Sequence, residues 1–166
     1  MFELKTLSRD AIPRSLEKVE RYRLLNEAAE AESICLDILA VEPDNQAALI
    51  MLLLARTDQF DRRLGVAVRQ AEEVVPRLQG EYERAYYTGI IFERRAKAHL
   101  HHGGPGAEFA AYDCFRAAMQ WYEKAEAICA PGNNDARLRW NTCARIMNDN
   151  PQLRAGPQER VEQPLE

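Results

Sequence analysis

The chain has 166 residues, room for one compact domain and little more. Apolar residues make up 46% and charged residues 29%, near the soluble globular average, so wholesale disorder and a collagen-like fibre are excluded. The 26 acids against 22 bases leave a net charge of −4, which argues against neutralising nucleic-acid phosphates. The opening MFELKTLSRD lacks the basic start and apolar run of a secretory leader, and a cytoplasmic location is expected. The longest apolar run, Ala47 to Ala55, is about half the length of a membrane-spanning helix, so no membrane partner is expected.

No segment alternates apolar and polar residues over a strand's length, and the predicted class is all-α. A first helix is predicted from Asp10, a good N-cap, with Pro13 in its first turn and Ile12, Leu16, Val19 and Tyr22 along one face. It stops at Leu25-Asn26, since Asn tolerates the left-handed conformation that ends helices. Ala28, Ala31, Cys35 and Ile38 then line a second helix that ends before Pro43.

Asp44 or Asn45 can cap a third helix holding the apolar run, which loses its apolar character at Arg56-Thr57-Asp58. Leu64, Ala67, Ala71, Val74 and Leu78 mark a fourth, with Pro76 forcing a kink or a turn before Gly80. A fifth starts near Gly80, shows Tyr82, Ala85, Tyr86, Gly89, Phe92 and Ala96 on one face, and runs toward His101 before Gly103-Gly104-Pro105-Gly106. The sixth carries the longest stripe, Ala111, Phe115, Ala118, Tyr122, Ala125 and Cys129, and ends at Pro131-Gly132. Asn134 or Asp135 can cap a seventh that buries Ala136, Trp140, Cys143 and Met147. Residues 1–150 are read as one helical domain, and 151–166, with three prolines, as a disordered tail. The four cysteines, Cys35, Cys114, Cys129 and Cys143, form no C-x-x-C pair and read as small core residues.

A pattern of small-x3-apolar-x2-apolar recurs at Ala31/Cys35/Ile38, Ala67/Ala71/Val74 and Ala118/Tyr122/Ala125, each on the second helix of a hairpin. The small residue lets two helices approach, and the larger ones fill the groove between them. With Val19-x2-Tyr22 before it and Pro43-Asp44-Asn45 after it, the first copy resembles a tetratricopeptide repeat. The third is similar, with Gly89-x2-Phe92 and the A-M-Q-W-Y-E-K-A of residues 118–125, but it carries an insertion of about 17 residues relative to a unit of about 34. The second lacks an aromatic anchor on its first helix and has Gln79 where the closing proline would stand.

The resemblance, covering residues 12–130, implies a right-handed superhelical stack of about three hairpins, closed by the seventh helix as a cap. It also implies a non-catalytic module whose first helices line a groove for a peptide or protein segment. The matching positions are Leu16, Glu20 and Arg23; Ile50, Leu54 and Asp58; and Tyr86, Ile90, Glu93 and Arg94, apolar in the middle and charged at the edges. The clamp by which some members grip a C-terminal carboxylate is missing, because Leu16, Glu20 and Met51 stand in its places. A helix apolar on every side is also what a fully covered helix looks like, so the alternative is a structural homodimer, or a groove filled by the chain itself.

Residues 17–42 hold seven acids against three bases and residues 84–97 four bases against one acid, a polarity that suits a partner of mixed charge. His99 and His102 share a helical face, and Asp113 or Cys114 could add a third ligand. Histidines at a helix C-terminus are favoured by the dipole alone, and no metal or other cofactor is assigned. No G-x-x-x-x-G-K, H-E-x-x-H or G-x-S-x-G occurs, so no catalysis is expected.

Overall fold

A computed structural model describes residues 1–156. Among them are seven α-helices and no strand: α1 (Ile12–Leu24), α2 (Ala28–Val41), α3 (Gln46–Thr57), α4 (Phe60–Glu72), α5 (Glu81–His102), α6 (Ala107–Ile128) and α7 (Asp135–Asp149). Local chemistry accounts for most of the boundaries. Asn26 takes a left-handed φ of 61° between α1 and α2, and Asn45 caps α3 by accepting the Ala48 N–H at 3.0 Å. Pro76 sits in a short 3-10 turn, Val75–Arg77, so the chain turns before Gly80 instead of kinking. Gly103, Gly104 and Gly106, all at positive φ, make the reversal from α5 to α6.

Two caps differ from expectation. A 3-10 turn, Arg9–Ala11, precedes α1 and takes Asp10 into itself, so Asp10 does not cap the helix. At α7 neither Asn134 nor Asp135 caps; the Asn133 Oδ1 accepts the Asp135 N–H at 3.0 Å instead.

Each helix packs on the next in sequence, and α3 also touches α1 and α5. All nine residues of the recurring pattern, from Ala31 to Ala125, are buried. Two cores result. The first, from α1 to α4, is built of Val19, Cys35, Ile38, Leu49, Leu52, Leu53 and Phe60. The second, from α5 to α7, is built of Phe115, Met119, Tyr122 and Cys143 with Tyr86, Trp121 and Trp140 around it. Helix α5 serves both, giving Ile91 and Ala98 to the first and Ile90 and Ala96 to the second. Its tight contact with α6 depends on Gly89, where a β-carbon would lie 2.5 Å from the Tyr122 ring.

Cys35, Cys114 and Cys143 are buried and Cys129 is half-buried, and all four are free thiols. Burial pushes the thiols of Cys35 and Cys143 up to about 12, which keeps them neutral and unreactive. The disorder expected over 151–166 falls mostly on 157–166, outside the described residues. Of the residues before those, Leu153 is buried in the second core and Arg154 lies over the Phe109 ring.

Candidate functional site

Ten groove positions were expected from the sequence, and three of them, one from each of three helices, meet directly. The Arg23 Nε on α1 donates to the Asp58 Oδ2 at 2.7 Å, and an Arg94 guanidinium N–H on α5 donates to Oδ1 of the same carboxylate at 3.0 Å. Asp58 is the residue that ends α3, so one carboxylate at a helix terminus gathers two arginines that stand 35 and 36 positions away. Two cations on one anion leave a net positive centre, still partly open to water.

That centre lies in a cleft of about 990 Å³. Its lining runs from Glu20 and Arg23 on α1, through Glu27 of the turn, to Ala28, Ala29 and Glu30 at the start of α2. It continues with Asp58 and Gln59 after α3, Asp61, Arg62 and Arg63 at the start of α4, and Arg94 on α5. Gln59 is fixed by its own bonds to the Glu32 carboxylate at 2.7 Å and the Ala55 carbonyl at 3.2 Å. The α4 backbone departs from helical geometry at Arg63 (φ −144°, ψ 41°). Arg62 and Arg63, at that break, both line the cavity.

The other expected positions divide by burial. Glu20, at the edge, is exposed, while Leu16, Ile50, Leu54 and Tyr86 are half-buried. Leu16 and Ile50 pack on the first core, Leu54 and Tyr86 on the second. The expected floor is therefore only partly open. Ile90 and Glu93 are not surface residues: they are 1% and 0% exposed. The reason is that α5 has α3, α4 and α6 packed along it and α7 reaching it through Arg139, which covers the face that α1 and α3 leave open.

Glu93 is a buried charge with three donors. It accepts from the Tyr122 hydroxyl at 2.6 Å and the Arg139 guanidinium at 3.2 Å, and it pairs with Lys97 one turn on. Burial alone would raise its pKa. The hydrogen bonds from Lys97 and Tyr122, with the Lys97 and Arg139 charges, outweigh burial and hold the carboxyl below its ordinary 4.5. Burial and the neighbouring Glu93 charge push the Tyr122 phenol up, so the proton stays on the hydroxyl that donates. No sequence pattern announced this cluster, because its members lie 4, 29 and 46 positions from Glu93.

The histidines take separate roles. His102 contacts the Ala98 carbonyl on its own helix and the Asp61 carbonyl at the start of α4, each at 2.7 Å. His99 lines a smaller cavity of about 450 Å³ with Phe92, Arg95, Asp113 and Cys114. Burial, reinforced by the Arg95 charge, lowers the His99 pKa, and burial raises that of Cys114. A neutral imidazole beside a neutral thiol is a weak basis for nucleophilic chemistry. Among the described residues no three His, Cys, Asp or Glu side chains converge as a metal site, and no helix is long and apolar enough to cross a membrane.

No family model, curated protein or solved structure matches this chain.

Proposed function

We propose that this chain is a divergent tetratricopeptide-like stack, three hairpins and a terminal helix, that works as a non-catalytic binding module for a peptide or protein segment. Pairing α1 with α2, α3 with α4 and α5 with α6 makes α1, α3 and α5 the first helices. In this reading they line the concave face, and Ile50, Leu54 and Tyr86 offer its apolar contacts. The single observation that carries the reading is the junction of Arg23, Asp58 and Arg94. Side chains from three successive first helices meet beside an open cleft, where a bound segment would touch all three hairpins at once.

The test is affinity capture with the intact chain as bait, beside Leu54→Glu and Tyr86→Ala proteins whose far-UV circular dichroism matches the parent. The proposal expects at least one captured protein to be lost with both variants. Recovery unchanged by either substitution rules out the groove. A structural homodimer is the competing reading, favoured by Leu24 and Leu25, two large apolar side chains exposed next to the cleft. Light scattering separates the two, since a mass of 19.0 kDa at every concentration excludes the dimer.

A further inference from the structure

The cleft beside Asp58 has walls of opposite sign that do not touch. On one side stand Glu20, Glu27 and Glu30, from α1, the turn and the start of α2; on the other stand Asp61, Arg62 and Arg63 on α4, two bases to one acid. Among the described residues none of these six side chains makes an ion pair or a side-chain hydrogen bond, although ion pairs form readily nearby. Arg23, the base on the acidic side, is already drawn onto Asp58, and Arg94 shares that carboxylate. The space between the walls holds four unanswered carboxylates, Asp61 among them, and two unanswered guanidiniums.

From this charge layout we infer that the cleft takes an extended peptide segment carrying an acidic and a basic residue, the acid toward Arg62 and Arg63 and the base toward Glu20, Glu27 and Glu30. The inference rests on the binding reading above and adds the chemistry of the partner. Pockets for small organic ligands are mostly apolar with a few polar groups, and this cleft is the reverse, with Leu24, Ala28 and Ala29 as its apolar lining. A purely acidic segment would meet four carboxylates, and a purely basic one two free arginines; like charges brought together cost enough to reject both. Arginine also offers a planar fork that binds a carboxylate through two parallel hydrogen bonds, so the basic wall selects the acid by shape as well as by charge.

The test is selection from a phage-displayed library of random peptides on the immobilised full chain, repeated on Arg62→Glu/Arg63→Glu and on Glu20→Lys/Glu27→Lys. All four substituted side chains are exposed, so the fold should survive, and far-UV circular dichroism verifies it. The inference expects enriched peptides that pair an acid with a base. The best of them, synthesised, should bind about tenfold more weakly to either double variant, the loss that about 1.4 kcal/mol of pairing produces, and more weakly as salt is raised. The arginine variant should instead enrich basic peptides and the glutamate variant acidic ones. Enriched peptides that are apolar, and bind both variants as they bind the parent, overturn the charged cleft while leaving a binding module in place. Failure to enrich any peptide over bare support overturns both. Self-association of the parent abolished by the Arg62→Glu/Arg63→Glu change shows that the occupant is a second copy of this chain, which also overturns the inference.

Discussion

The two cores solve the same packing problem with different materials. Helices α1 to α4 are 12 to 14 residues long and bury mainly aliphatic and small side chains, with Phe60 the one aromatic among the buried. Most of their polar ties lie at the margin of the core: Arg56 donates to Glu32 at 3.0 Å and to the Gln70 carbonyl at 2.6 Å, joining α2, α3 and α4. Helices α5 and α6 run 22 residues each, bring in Phe115 and Tyr122, and enclose a carboxylate that no water reaches. The first region tolerates loss of a polar tie because solvent can replace it. The second cannot, because Glu93 and the Tyr122 hydroxyl that meets it are both fully buried, and water cannot take the place of a lost partner there.

The sharpest way to break the contrast is Glu93→Ala. It should destabilise the protein by about 3 kcal/mol, the lower end for a broken buried ion pair, because Lys97 and Arg139 remain partly open to water. Urea titration at neutral pH measures it. The pH dependence has a definite sign: the folded-state pKa of Glu93 is depressed, so its contribution is present above the ordinary 4.5 and disappears as pH falls through the lower folded value. The gap between wild type and Glu93→Gln should therefore close in acid; a gap that is constant with pH would show that charge is not what holds α7.

Gly89→Ala should come next, costing about 2 kcal/mol from overpacking. The new β-carbon would meet a buried ring that its own hydrogen bond to Glu93 keeps from moving aside. A matching melting temperature would mean that α5 and α6 can separate. In the first region, Asn45→Ala removes the α3 cap and its bond to the Glu42 carboxylate at 2.9 Å, with an expected loss of about 1 kcal/mol by the same titration. A loss as large as that of Glu93→Ala would erase the distinction between the regions.

The smallest effect belongs to His102. Its two ring nitrogens each face a carbonyl oxygen, and only the imidazolium can donate both ways. These backbone bonds, helped by the Asp61 charge, raise its pKa from 6.5. The stabilisation is complete below the unfolded value and fades as pH rises through the folded one. The difference in melting temperature between wild type and His102→Ala should shrink as pH rises from below the ordinary 6.5 through the raised folded value. Arg95, His99 and His101 on α5 and Asp61 at the start of α4 remain in both proteins, and the His102 charge that helps lower the His99 pKa is lost with the ring.

Local and periodic features were readable before any coordinates. The breakers at Asn26, Pro76 and the glycine run, the Asn45 cap and the small-x3-apolar-x2-apolar stripes depend on residues within a turn or two of each other. What escaped was whatever depends on which faces meet. Tyr86, Ile90 and Glu93 share a helix and look alike as groove candidates, yet Ile90 and Glu93 are buried and Tyr86 is not. Only the lengthened α5–α6 pair and the return of α7 decide that. Likewise, Arg23, Asp58 and Arg94 were each expected at a charged edge, but nothing in their spacing says that one carboxylate would hold both arginines.

Glu93 and Arg94 are neighbours in the chain and face different surroundings, the first the dry interior beside α7, the second the open cleft beside α4. A single peptide unit therefore joins a fully buried anion to a cavity of about 990 Å³. Through Arg139 that anion reaches α7, so the inside of α5 ties down the last helix while its outside faces the cleft.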